Sequence, residues 1–258
     1  MPLVFRPDEN LVQKIISSFT WEYANSGYEN LPVKSSATGL MSSDFTPNFS
    51  KQALDFSNHD EDFEYEYEDS ATHEKTDKER GIAYHAFLET FDFSRLFNVN
   101  GEKIGQESLK EEVARTLLKM QNSAQDLVGY LEKDKLVQIL QNPVFYALQG
   151  YSLMKEQKFL VSMPIKDTYA KKEGFAHLQD GAEEMIFQGA IDLLAVGKNE
   201  AWIIDYKYSK KDKQSLQSHY APQLELYRLA TAKILQIPKE RVHCSIVNIC
   251  LGFQVDMC

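Results

Sequence analysis

The stretch GAIDLLAVGKNEAWIIDYKYSKK, residues 189–211, holds two apolar runs of strand length, and each is broken by charge where a core strand excludes it. Asp192 interrupts the first; Asp205 and Lys207 interrupt the second. An unpaired carboxylate in an apolar interior is costly, so a chain folding through these runs must supply a compensating charge. That charge is either an internal ion pair or a bound cation. Side chains alternate along a strand, which puts Ile203, Asp205 and Lys207 on one face of 201–208 and Trp202, Ile204 and Tyr206 on the other. The short turn around Gly197 predicts that the two runs lie side by side, with both carboxylates near one sheet edge.

Apolar spacing predicts what surrounds these strands. Helical spacing runs through 77–93 (Ile82, Tyr84, Phe87, Leu88) and 107–121 (Val113, Leu117, Met120). The second of these opens with Ser108 and Glu111 in capping-box spacing. Residues 134–149 are helical in two pieces, because Pro143 disfavours continuation. Strands are predicted at 155–165, 185–196, 201–208 and 243–250, with an amphipathic helix at 219–236 carrying Leu224, Tyr227 and Ala230 on one stripe. Helices, three strands, a helix and a strand make an α/β chain with a mixed sheet.

The net charge of −10 argues against a general nucleic-acid binder until its distribution is seen. Residues 55–70, DFSNHDEDFEYEYEDS, carry eight acidic residues and no Lys or Arg, leaving about −2 for everything else. We therefore divide the chain into an N-terminal arm packing on the body (1–54), an acidic flexible linker (55–76) and the body itself (77–258). No apolar run approaches the roughly 20 residues that span a bilayer, and the opening residues lack a secretion signal. The three cysteines, at 244, 250 and 258, fit neither a disulfide framework nor a zinc pattern, so a reducing cytoplasmic setting is expected.

Two carboxylates converging at a sheet edge form an all-oxygen site suited to Mg²⁺. An adjacent Lys can steady developing negative charge or orient a hydroxide, which is the equipment for metal-assisted phosphodiester hydrolysis. The competing reading of Asp205 and Lys207 is a plain ion pair on an edge strand. The basic run 207–213, otherwise a solvated turn, could hold a DNA backbone through Lys210 and Lys211.

The pattern Asp192, then Asp205-Tyr206-Lys207, resembles the core of the PD-(D/E)XK nucleases. GIAYHAFLE (81–89) resembles the Gly-x-x-x-His helix of that superfamily's RecB-like branch, with Gly81 and His85 in place. GAIDLL (189–194) and IIDYK (203–207) resemble its second and third motifs, and YAPQLELY (220–227) its Gln-x-x-x-Tyr helix, with Gln223 and Tyr227. Residues 21–38 are similar to the segment before the nuclease domain in the AddA family of bacterial ATP-dependent helicase–nucleases.

This resemblance implies a restriction-endonuclease-like fold and a Mg²⁺- or Mn²⁺-dependent DNA nuclease, exonucleolytic, serving double-strand-break repair and recombination beside a helicase domain or partner subunit. It implies His85, Asp192, Asp205 and the Tyr206 carbonyl as metal ligands, Lys207 as helper of the attacking water, and Gln223 and Tyr227 as contacts to the scissile backbone. Relatives often carry an acid before the first strand, where Glu156 lies, and an exposed strand-end Glu is the equal reading of it. Some RecB-like relatives hold an iron–sulfur cluster on four cysteines; with three here, none before residue 244, no cluster is expected. No phosphate-binding G-x-x-x-x-G-K-[ST] occurs, so no motor is expected within these residues. A module that has lost catalysis and serves as a DNA-binding or subunit-docking platform is the alternative. The complete His, Asp, Asp, Lys set stands against it.

Overall fold

A computed structural model describes residue 10 and residues 34–36, 71–168 and 183–257. The chain runs through strand β1 (Lys34–Ser36), helix α1 (Ala71–Thr90), helix α2 (Gln106–Ser123), the short helices α3 (Gln125–Val128), α4 (Lys133–Leu140) and α5 (Pro143–Ala147), then strand β2 (Ser152–Pro164) and helix α6 (Ile165–Thr168). It continues as a meander of β3 (Glu184–Val196) and β4 (Ala201–Lys207), the long helix α7 (Lys213–Leu235), β5 (Val242–Asn248) and β6 (Phe253–Met257). The six strands form one mixed sheet with helices on both faces, a restriction-endonuclease-like α/β fold. β2, β3 and β4 pair antiparallel, β4 and β5 pair parallel across α7, and β6 returns antiparallel along β5.

Alternation on the central strands divides the core between the two faces. Ala201 and Ile203 of β4 join Cys244 and Ile246 of β5 and pack under α7, against Leu224, Tyr227 and Ala230. Ile204 and Tyr206 join Val247 and pack under α1, α2, α4 and α5, against Phe87, Leu117, Met120, Leu136 and Phe145. Asp205 and Lys207 therefore emerge on the α7 face, as the alternation predicts.

Several local expectations change. α2 begins at Gln106 with Gly105 as its cap and no side-chain capping bond, so Ser108 and Glu111 form no capping box. The Gly105 carbonyl already accepts from Leu109, which places Ser108 inside the first turn. Pro143 divides its segment by starting a helix: Asn142 caps it, accepting from the Val144 N–H. α1 starts at Ala71, within the stretch read as linker. Of the expected arm, β1 is described, pairing parallel with β3 at Ile186–Gln188. The acidic run 55–70 lies outside the described residues.

Candidate active site

The site forms where the sheet forks. β3 and β4 are paired from Val196–Ala201 to Leu193–Ile204, and the ladder ends there. Beyond it, one residue along β3 and two along β4, Asp192 Oδ2 accepts the Tyr206 N–H at 2.6 Å, so a side chain takes over the backbone group that the ladder leaves unpaired. β4 stays paired with β5 out to Lys207, so Asp205 and Lys207 remain rigidly held beyond the fork.

A second irregularity shapes β2 and β3 together. The register on either side, Lys155–Leu193 and Gln157–Ile191, sets Glu156 directly opposite Asp192. Glu156 has φ of 46°, the left-handed region that a side chain with Cβ adopts at a cost. At this level both strands turn over. Leu153 and Leu193 pack with the α1 face, whereas Phe159 and Ile191, at matching parity, pack with the α7 face. The register brings two carboxylates to one point of the sheet, at the level where the strands exchange faces.

His85 completes the group. α1 lies across the fork, with the His85 ring edge-on to Tyr206 (centroids 5.7 Å apart) and Nδ1 3.8 Å from Asp192 Oδ2. Ligand atoms of His85, Glu156 and Asp192 all lie within 4.8 Å of one another. Asp205 stands beside this group, 2 % exposed, with Oδ2 3.3 Å from Lys207 Nζ. The ammonium also sits 4.6 Å from the centroid of the Tyr220 ring, a cation–π contact that fixes its height above the sheet.

The charges are poorly reconciled without a cation. Burial, then Asp192, Glu89 and Asp205, push the Glu156 carboxyl up to about 8. Burial also raises Asp205 well above the carboxylate range, Asp192 adds to this, and Lys207 and His85 oppose it. Two oxygen donors and an imidazole at this spacing, with carboxylates that repel one another, fit a divalent metal ion. Such an ion would be held by His85, Glu156 and Asp192, with Asp205 adjoining.

α7 closes the other side. Asp212 caps it, accepting from Ser215 N, and Gln223 and Tyr227 stand one turn apart, each 5 % exposed. Gln223 Nε2 donates to the Tyr227 hydroxyl at 3.1 Å, while Gln223 Oε1 is buried with no hydrogen-bond partner among the described residues. The charges of Asp205 and Lys207 both act on the Tyr227 phenol, whose pKa burial raises. Lys210 is largely exposed, with Nζ 2.6 Å from Asp77 at the start of α1, and Lys211 is half-buried with its N–H on Ser209 Oγ.

The fork thus gathers His85, Asp192, Asp205 and Lys207, with Gln223 and Tyr227 behind them. Glu156 joins them. The sequence left it open between an acid of the site and an exposed residue before the first strand; it lies inside β2, which begins at Ser152, and is half-buried. Among the described residues, no helix is long and apolar enough to cross a membrane.

A family model described as the PD-(D/E)XK nuclease superfamily matches residues 61–252. An ATP-dependent helicase/nuclease subunit from Carboxydothermus hydrogenoformans is 28 % identical over 158 residues, 60 % of this chain and 12 % of that protein. The chain therefore spans about an eighth of the length of this curated relative. The matched residues include the whole fork, from the helix of His85 to the end of β5. By that match and by the fold, the chain belongs to the PD-(D/E)XK nuclease superfamily.

Proposed function

We propose that this chain is a divalent-metal-dependent deoxyribonuclease domain, acting as an exonuclease beside a helicase domain or partner subunit in double-strand-break repair and recombination, in the cytoplasm. The observation that carries the reading is the half-buried group of His85, Glu156 and Asp192 next to the Asp205–Lys207 pair. The family match and the likeness to a helicase/nuclease protein support DNA as substrate and a helicase as partner.

The reaction adds water to phosphorus and breaks one P–O ester bond. A bound Mg²⁺ or Mn²⁺ supplies charge neutralisation to the phosphate. Asp192 and Asp205 hold negative charge at the fork, and the Asp192–Tyr206 hydrogen bond keeps the fork open by replacing a ladder bond. Lys207, wedged between Asp205 and Tyr220, orients the attacking water and offsets negative charge developing on phosphate oxygen. Gln223 and Tyr227 orient the scissile backbone. Lys210 and Lys211 hold the neighbouring phosphates, with Lys210 exchanging Asp77 for DNA.

Imidazole in the ligand set favours Mn²⁺ in binding over Mg²⁺, which prefers oxygen. Incubating the purified chain with end-labelled linear DNA and with covalently closed circles, in Mg²⁺, Mn²⁺ or EDTA, tests the proposal. Metal-dependent loss of linear DNA with circles spared is expected. Nicking of circles would make it an endonuclease, and inertness with either ion would favour the docking-platform alternative.

A further inference from the structure

α1 carries His85 but has no basic residue in its last turn, so the final carbonyls and the negative end of its dipole must be met from elsewhere. Lys155 of β2 meets them. Its Nζ donates to the Glu89 carbonyl at 2.8 Å and to the Phe91 carbonyl, just past the helix end. The same ammonium lies 5.4 Å from the centroid of the Phe93 ring, which follows in the chain. Glu89 is one helical turn beyond His85, and the residue after Lys155 is Glu156, held at φ of 46°. One side chain thus joins the end of the helix that presents His85 to the strand position that presents Glu156.

We propose that Lys155 is a positioning residue of the metal site. It crosslinks α1 to β2 so that His85 stays within ligand distance of Glu156 and Asp192. This rests on the reading of that group as a metal site. Two residues from different elements must meet at one point, and no backbone ladder joins α1 to β2. Without the crosslink, Phe87, Leu88 and Phe91 still hold α1 to the core, so the fold survives while the setting of the helix over β2 loses its polar restraint. The two carboxylates, fixed by the β2–β3 register, stay where they are.

The test is Mn²⁺ binding by the purified chain, read by calorimetry for affinity and by electron spin-echo modulation for nitrogen coordination. Lys155→Met keeps the aliphatic stem and removes the donors. It is expected to weaken Mn²⁺ binding about 10-fold or more, the range for groups that orient a ligand, and to lose the ¹⁴N signal of His85 from the ion that still binds. Lys155→Arg, whose guanidinium can donate to two carbonyls, should keep the nitrogen signal. Lys233→Met is the comparison: Lys233 is also a clamp between helix and strand, to the Ser162 carbonyl and Glu184, but away from the fork, so its loss should lower stability and leave Mn²⁺ coordination unchanged. If Lys155→Met does not fold, Lys155→Leu, which also lacks donors, carries the same two readouts. Wild-type affinity and an intact nitrogen signal in the Met or Leu variant would overturn the proposal. Absence of Mn²⁺ binding by the wild type would instead remove the metal-site reading on which it stands.

Discussion

Asp192 and Asp205 look alike in sequence and are held by opposite means. Asp192 accepts a backbone N–H, whereas Asp205 is buried against a lysine and raised well above the carboxylate range. Asp192→Ala would strand the Tyr206 amide at about 1–3 kcal/mol. Asp192→Asn keeps an acceptor there and should leave the melting midpoint near wild type. Asp205→Asn removes a carboxylate that burial penalises, so the metal-free midpoint should rise at pH 7–8. Both Asn variants and Lys207→Ala should lose cleavage by about 100-fold or more, and wild-type turnover by any of them would remove that residue from the mechanism. Glu156 adds a pH signature. Its folded-state pKa, about 8, lies above the ordinary carboxylate value, so the native state binds the extra proton. The stability this confers is present at low pH and is lost as pH rises from the ordinary carboxylate range through about 8. Melts of the metal-free protein should therefore fall between pH 5 and pH 8 more steeply for wild type than for Glu156→Gln. Equal slopes would mean that Glu156 is not held protonated.

At the scale of elements, α7 sits so close to β3 that glycine is required between them. A Cβ on Gly189 would lie 2.7 Å from the Phe159 ring and 2.9 Å from Tyr227 Cε1. Gly189→Ala should thus cost about 1–3 kcal/mol in urea unfolding, and it should slow cleavage by displacing Tyr227. A neutral effect on both would show that α7 yields freely and does not orient substrate. The long helices and central strands were legible in the sequence because their apolar spacing runs over many residues, with charge entering 185–196 and 201–208 only at Asp192, Asp205 and Lys207. β6 was not: FQVDM is five residues, too short for a period to stand out, and its place is fixed by pairing with β5. The capping box misled because two residues at the right spacing say nothing about where the first carbonyl bond begins. Glu156 stayed open between a site acid and a strand-end residue for a different reason. Its place opposite Asp192 follows from the β2–β3 register, and a period-two pattern read along either strand alone carries no sign of that pairing.

Across the whole molecule, the negative charge is concentrated in one segment. Eight of the acids lie within residues 55–70, and the remainder of the chain is near neutral. Deleting 55–70 should tighten DNA binding at low ionic strength, with the gain fading as salt shortens the Debye length to about 8 Å, and Mn²⁺ affinity should not change. A gain that persisted at high salt would mean that the segment does more than repel. The central claim is that one divalent ion belongs at the fork of β3 and β4, held by His85 of α1, Glu156 of β2 and Asp192 of β3. Anomalous diffraction from crystals soaked in Mn²⁺ tests it most directly. The account predicts one strong anomalous peak within about 2–2.5 Å of a His85 nitrogen and of carboxylate oxygens of Glu156 and Asp192. A fork without a peak in crystals that bind Mn²⁺ elsewhere would contradict it.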